Sequence, residues 1–309
     1  MAYDVGIIVL NYNSFGDVKE CVKSIKETSQ SNYHIYIIDN QSTDDSWLKL
    51  NESYASDDKV TLILSPRNGG YSAGNNYAWE YAKKDGCKYI YISNTDIIYY
   101  EGAIDRIFAF LEQLGNENIA VCGPSIDFPY AENAESARSK LTFKTFLLNK
   151  KPLWYIGKGK YSNREKPIEY NENGVFVFTG MVSGCSFMIR ADVFEEIGGF
   201  DDNVFLFGEE DIMAYKLEER QNYTAILREA RILHNHNKTI SSQGSAFSKY
   251  YYWLSPMYVL KKYAKINKAQ AIFLYMSNVV VWASLALFRE DFRKKLKAFS
   301  TDNKRYLEL

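Results

Sequence analysis

The chain has 309 residues, and its 37 Lys+Arg against 38 Asp+Glu give a formal charge of −1. With 46% apolar and 24% charged residues, only 6 Pro and 18 Gly, the composition is globular and excludes a mainly disordered, collagen-like or low-complexity chain. The near-neutral total hides an asymmetry: residues 241–309 carry 12 Lys/Arg against 4 Asp/Glu, which leaves 25 against 34 in residues 1–240.

A charge separation of that kind points to a membrane or nucleic-acid contact, or to a basic tail. Residues 5–10 form a short apolar run with no basic stretch before it. That pattern predicts a buried strand and not a signal peptide. Apolar positions at Phe15, Val18, Val22 and Ile25 predict a helix over 14–28. Strands follow at 33–38, 59–64, 89–92 and 119–122, with helices at 71–84 and 103–114 between them. Strand–helix alternation with short turns implies right-handed βαβ units and a mostly parallel sheet, an α/β fold. Residues 125–174 break the rhythm and read as a functional excursion. Strands return at 175–178 and 182–190, then helices at 191–197 and 209–221, then short strands at 225–227 and 231–233. Beyond Tyr250 the chain reads as helical, basic and rich in Tyr and Trp. Cys21, Cys87, Cys122 and Cys185 are too dispersed for a C-x-x-C motif and fit a reducing cytosol.

Functional residues of open parallel sheets sit past the carboxyl ends of the strands. Those positions hold Asn11-Tyr12-Asn13, then Asp39-Asn40-Gln41-Ser42-Thr43-Asp44-Asp45-Ser46, then Arg67-Asn68-Gly69-Gly70, then Asn94-Thr95-Asp96. Each alone is common turn or cap chemistry. Four in succession suggest a nucleotide-like ligand over the sheet edge. The glycines around Gly70 match neither G-x-G-x-x-G nor the P-loop, although they could let a helix N-terminus approach a ligand. Asp96 is placed to hold a hard cation that keeps other positions for phosphate and water. Glu209-Glu210-Asp211 sets three carboxylates at a helix start, where mutual repulsion raises at least one pKa, as suits a general base; favourable acidic capping is the plainer reading. His34 lies early in a strand and reads as structural. His234 and His236 alternate at a strand end and could face one site.

The run from Val5 to Ser14, the run from Ile38 to Ser46, and the run from Asn68 to Asn76 together resemble the family 2 glycosyltransferases. Asn94-Thr95-Asp96 looks like that family's variant of D-x-D, and Gly180 to Arg190, Ile197 to Asp201 and Phe205 to Asp211 continue the match in order. The resemblance covers roughly residues 3–245 and is nearest to the bacterial rhamnosyltransferase-like branch. It implies a GT-A fold, with a nucleotide-binding half (1–124) and an acceptor half (125–245); the residues beyond it read as a helical basic region (246–309) from their own pattern. It further implies inverting transfer from a UDP- or dTDP-linked sugar to a hydroxyl of a glycan or polyprenyl-diphosphate-linked acceptor, helped by Mg²⁺ or Mn²⁺. By the same resemblance Asn11, Asn13, Asp39, Arg67, Gly70, Asn75, Asn94, Asp96 and Gly184 would contact the nucleotide sugar. Asp96 and His234 would hold the metal, with His236 as the rival histidine. Asp211 would be the base and Glu210 its neighbour. Asn94 replaces the first Asp of D-x-D, and Met213 stands where a further Asp is common.

Residues 271–288 carry no charge and lie at the lower length limit of a membrane-spanning helix, with Lys261, Lys262, Lys265 and Lys268 before and Arg289, Arg293, Lys294, Lys295 and Lys297 after. Three readings compete: peripheral attachment to anionic lipid, which is preferred, a core helix or homodimer contact, and a true span. Nucleic acid is disfavoured because the cations flank an uncharged block and do not line a groove with interleaved aromatics. The location implied is cytoplasmic, at the inner face of the cell membrane. A sugar-nucleotide nucleotidyltransferase is a second reading, disfavoured by Asn11-Tyr12-Asn13-Ser14 where that class has a Gly-rich loop with Arg and Lys. A non-catalytic assembly subunit is a third, supported only by the missing first Asp of D-x-D.

Overall fold

Alternate residues of the first strand, β1 (Val5–Asn11), feed two different cores, because side chains on a strand point to opposite faces. Val5, Ile7 and Val9 face one layer, and Ile8 faces the other. The computed structural model describes residues 3–113, 118–129, 131–134, 137–148, 168–235 and 245–308.

In chain order the elements after β1 are α1 (Phe15–Thr28), β2 (Tyr33–Asp39), α2 (Ser46–Tyr54), β3 (Val60–Leu64), α3 (Gly70–Lys84), β4 (Tyr89–Ser93), β5 (Ile97–Tyr99), α4 (Ala103–Gln113), β6 (Ile119–Phe128) and β7 (Ala131–Ala134). Next come α5 (Phe143–Leu148), β8 (Val175–Phe178), β9 (Ser186–Arg190), α6 (Ala191–Glu196), α7 (Glu209–Glu219) and β10 (Tyr223–His234). The chain ends in α8 (Ala246–Lys262), α9 (Lys268–Phe288) and α10 (Glu290–Arg305).

Among the described residues the strands form one sheet in the order β3-β2-β1-β4-β9-β6-β10-β5, with β7 on β6 and β8 on β10. The parallel order read from the sequence holds for β3-β2-β1-β4 and for β6 with β10. β9 runs antiparallel between β4 and β6, and β5, β7 and β8 are antiparallel too. The sheet is therefore mixed. One layer packs α1, α2 and α4 on the sheet through Val18, Val22, Ile25, Leu50, Ile104 and Ile107. The opposite layer packs α3, α6 and α7 through Ala78, Trp79, Phe194, Met213 and Leu217.

The carboxyl ends of β1, β2 and β4 lie side by side, since Asn11 pairs with Asp39 and Val9 with Ser93. This register puts the polar loops after those strands on one edge. Two glycines shape the opposite wall. Gly70 opens α3 at φ +81, and a Cβ there would sit 2.1 Å from the Phe205 carbonyl oxygen, whose acceptor is used by Tyr71 N–H at 3.0 Å. Gly208, at φ +90, starts α7 against Val259 of α8. Only a residue without Cβ takes these positions without strain.

The C-terminal helices are packed onto this body. Val204 and Ile212 share a core with Met257, Val259, Leu260, Ala271 and Leu274. A second core holds Tyr250, Leu254, Trp282, Phe292 and Phe299. The Trp282 ring stacks on Phe299 at 4.1 Å between centroids, and its indole N–H donates to the Phe292 carbonyl at 3.0 Å. All four cysteines are buried free thiols.

Candidate active site

The site is a seam of hydrogen bonds along the carboxyl edge of the sheet. At one end Asn11, wholly buried at the end of β1, donates from Nδ2 to Asp39 Oδ2 at 2.7 Å. Asp39, also wholly buried, accepts from Ser42 N–H at 2.8 Å and Ser42 Oγ–H at 2.7 Å. Asn13 takes a left-handed backbone conformation (φ 55) and clasps the same loop, its Oδ1 accepting from Thr43 N–H at 2.7 Å. Asn11 Oδ1 accepts from both the N–H and the hydroxyl of Ser14, and the Ser14 hydroxyl meets that of Thr95 at 3.2 Å. Thr95 lies between Asn94 and Asp96, so the loops after β1 and β2 and the Asp96 turn form one unit.

At the other end Asp96 and His234 meet, with Oδ1 and Nε2 3.3 Å apart and both side chains largely buried. His234 ends β10, which pairs antiparallel with β5 just after Asp96, and its ring packs on Phe128. Burial opposes protonation of the His234 imidazole, but the neighbouring Cys185 sulfur and the Asp96 carboxylate outweigh it and push its pKa up to about 10. Asn94 N–H donates to the Cys185 carbonyl at 2.8 Å. The adjacent Gly184 donates its N–H to Glu210 Oε1 and accepts from the Tyr71 hydroxyl at 2.6 Å. Residues 184–185 are thus a strap from the Asp96 turn to the acidic start of α7.

Three carboxylates stand there. Glu210 is held by Gly184 and by Arg138, whose guanidinium lies 2.9 Å from Oε2. Asp211 is 6% exposed and accepts from Leu141 N–H at 2.8 Å. Glu209 has a buried Oε2 with no hydrogen-bond partner. Burial and repulsion from Glu210 and Asp211, only partly offset by a backbone N–H and by Arg138, push its pKa up to about 8.

Not every residue read from the sequence joins the seam. Arg67 is exposed in the loop after β3. Gly70 is tied to the 205–208 turn, as described. Asn75 is wholly buried in α3, its Nδ2 donating one turn back to the Tyr71 carbonyl at 3.0 Å, while its Oδ1 is buried with no partner. His236 lies outside the described residues. His34 sits far back along β2, opposite Gly6, and bonds Thr61 at 2.8 Å. The residues that the sequence did not single out are Ser42, Thr95, Arg138, Tyr71 and Cys185. For Ser42 and Thr95 the signal was present, since both lie inside strand-end loops.

Among the described residues no group of three or more His, Cys, Asp and Glu forms a metal cage. Asp96 and, once its ring proton is displaced, His234 would supply two ligands. One carboxylate and one imidazole fit a divalent ion such as Mn²⁺ that takes its remaining ligands from phosphate and water.

A mixed sheet between helical layers, with a polar seam at its carboxyl edge and an acidic helix start facing it, defines a GT-A-type nucleotide-sugar fold. The sequence model described as Glycosyl transferase family 2 matches residues 6–198, and the chain belongs to that family. Solved structures agree in fold. GalNAc-T7 with UDP, GalNAc and Mn²⁺ superposes with a TM-score of 0.58 at 13% identity, over 83% of this chain and 51% of that one. The mannosyltransferase PcManGT of Pyrobaculum calidifontis, in complex with GDP-Man and Mn²⁺, gives 0.55 at 12% identity, over 100% and 88%. TarS of S. aureus in complex with UDP gives 0.53 at 13%, over 83% and 64%. A curated relative, the low-salt glycan biosynthesis hexosyltransferase Agl10 of Haloferax volcanii, is 24% identical over 221 residues. That match spans 70% of this chain and 62% of the relative's length.

Proposed function

We propose that the chain is an inverting hexosyltransferase that moves a sugar from a UDP- or dTDP-linked donor to a hydroxyl of a glycan or polyprenyl-diphosphate-linked acceptor. Within the family we read it as nearest to the rhamnosyltransferase-like branch of surface-polysaccharide enzymes, on the order of its sequence blocks. The observation that carries the reading is the strap at residues 184–185, which joins the Asp96–His234 pair to the Glu210 carboxylate through single hydrogen bonds. Leaving-group and base chemistry are thereby fixed to one another. The solved structures of the same fold carry UDP or GDP-Man, which supports a nucleotide-sugar donor in general.

The catalytic unit is residues 1–245, divided near 124, and 246–309 is the helical tail. In the reaction, Asp211 takes the proton of the acceptor hydroxyl. The freed oxygen attacks the anomeric carbon from the side opposite the diphosphate, whose bond to that carbon breaks with inversion. Glu210, pinned by Gly184 and Arg138, positions the neighbouring carboxylate. A divalent cation held by Asp96 and His234 would offset the charge gathering on the departing diphosphate. Asn11, Asn13 and Asp39 shape the pocket edge for the base and ribose. Glu209 is a second candidate base, favoured by its unpartnered oxygen and raised pKa.

The test is a donor panel of UDP-, dTDP- and GDP-sugars with Mn²⁺, read as donor binding and as release of nucleoside diphosphate. Wild type is expected to bind and turn over one nucleotide class, and Asp96→Ala to lose the metal-dependent turnover. Undiminished turnover in Asp96→Ala would remove Asp96 from the site, and failure to bind any donor would overturn the reading.

A further inference from the structure

One face of α9 takes no part in the fold. The helix turns Ala271, Leu274, Asn278, Trp282 and Ala286 inward. On its other side Ile272, Met276, Val280, Leu287 and Phe288 are exposed, the last four by 54%, 62%, 71% and 88%. Spacings of four, four and seven residues keep the first four on one side of the helix, and Phe288 closes its end. From Ile272 to Phe288 the stripe runs roughly 24 Å at the helical rise. No charged residue interrupts it between Lys268 and Arg289. An uncovered apolar stripe of this length marks an interaction surface.

The helix is long and apolar enough to cross a membrane by length and composition, but its packing forbids that. α10 folds back along α9, with Phe292 and Phe299 on Trp282, Ser300 at Tyr275 and Asn303 at Asn278. A span by α9 would drag α10 into hydrocarbon with Arg293, Lys294, Lys297 and Lys304 on its exposed side, where charges are strongly disfavoured. An in-plane placement satisfies both helices. The stripe enters the acyl boundary and the cations meet headgroups. Arg293 is positioned for this, because it donates to the carbonyls of Ala286 and Leu287 beside the apolar stripe. Lys265 and Lys268 are exposed at the other end.

We propose that the exposed face of α9, flanked by the cations of α10, docks in plane on an anionic lipid bilayer. Charge chooses this occupant over a second copy of the chain, since two tails face to face would set like charges against each other, whereas anionic headgroups neutralise them. The dock reaches the acidic turn through aromatic contacts: Trp253 of α8 packs edge-on against Trp282, and Tyr251 stacks on Phe205 at 4.8 Å. A lipid-linked acceptor would then meet the site at the surface. The docking itself does not rest on the glycosyl-transfer reading, because it is measured without donor or acceptor.

The experiment is flotation of the full chain with vesicles of phosphatidylglycerol and phosphatidylcholine in equal parts, with phosphatidylcholine alone, and with the mixture at high salt. Wild type is expected to float with the anionic vesicles, to stay down with phosphatidylcholine, and to lose flotation as salt rises. Met276→Glu combined with Leu287→Glu changes only exposed positions and is expected to abolish flotation while circular dichroism stays unchanged. Wild type that never floats would overturn the proposal, and so would a double variant that floats like wild type. A wild-type dimer in light scattering that the double variant splits, without flotation, would assign the stripe to self-association instead.

Discussion

Three adjacent carboxylates at the start of α7 meet three different environments. Glu210 is paired with Arg138 and a backbone N–H, Asp211 is buried on the Leu141 N–H, and Glu209 has an oxygen with no partner. As base, Asp211 predicts that Asp211→Asn lowers turnover at least about a hundredfold with donor affinity kept. Steady-state kinetics alongside Glu210→Gln and Glu209→Gln check this. If only Glu209→Gln shows that loss, the base is Glu209. A separate prediction concerns pH. Glu209 has a folded pKa near 8 against an ordinary value of 4.5, so the folded state holds a proton that the unfolded chain releases across that window, and stability falls as pH rises through it. Glu209→Gln is therefore expected to match wild type in melting temperature below pH 4.5 and to exceed it near pH 8, by calorimetry at both values. The sequence showed the three acids but could not rank them. Their partners lie 26, 72 and 70 positions away in Gly184, Arg138 and Leu141, and such distances are set by topology, not by local pattern.

At the scale of elements, apolar runs revealed the parallel strands, because a strand buried on both faces is apolar throughout. Strand direction was hidden, since β9 has the same apolar character as its parallel neighbours yet runs opposite to them. α2 was missed because its segment, Ser46–Tyr54, buries only Ser46, Leu50 and Tyr54. β5 has three residues and passed as part of a turn. β10 read as two short strands because its pairing with β6 shifts register between Leu227 and Arg231. Of the 182–190 stretch only Ser186–Arg190 is strand, and 184–185 became the strap. The clearest coupling between elements is Asp201, just after α6. Burial alone would raise its carboxyl pKa, but donors from Tyr263, Asn203 and Lys262 outweigh it and hold it well below the usual carboxylate range. Tyr258 joins them at 2.8 Å. Asp201→Asn is expected to lower stability by roughly 2 kcal/mol, as for loss of charged hydrogen bonds. A depressed folded pKa gives stability that is complete above the unfolded value and lost as pH falls through the folded one. The gap to wild type should therefore be full at neutral pH and narrow below pH 3.8, as read by thermal melts.

For the molecule as a whole, the charge separation visible in the sequence corresponds to a physical division. The acidic part holds the sheet and its seam, and the basic part holds α8, α9 and α10. The division is not a clean cut, because Ser255 of α8 donates to the Leu206 carbonyl at 2.7 Å and Val259 packs on Gly208. The basic segment is thus part of the wall behind the acidic turn. A chain ending at residue 245 is expected to keep the sheet but lose order at 201–211. Hydrogen exchange should show protected strands and unprotected amides in that turn. Equal protection in both chains would make the tail a separable appendage. The sequence could not show this, since a basic, aromatic-rich helix reads the same whether it covers a core or hangs free.

The clamp on Asp201 also orders events during synthesis. Tyr258, Lys262 and Tyr263 emerge from the ribosome long after the strands that flank the site, so a nascent chain carries the sheet before it carries the donors that this carboxylate needs. The turn before α7 can therefore take its final shape only after α8 and Tyr263 have been made. A chain stopped before residue 258 would hold the strand-end loops of β1, β2 and β4 in place beside an unformed acid cluster.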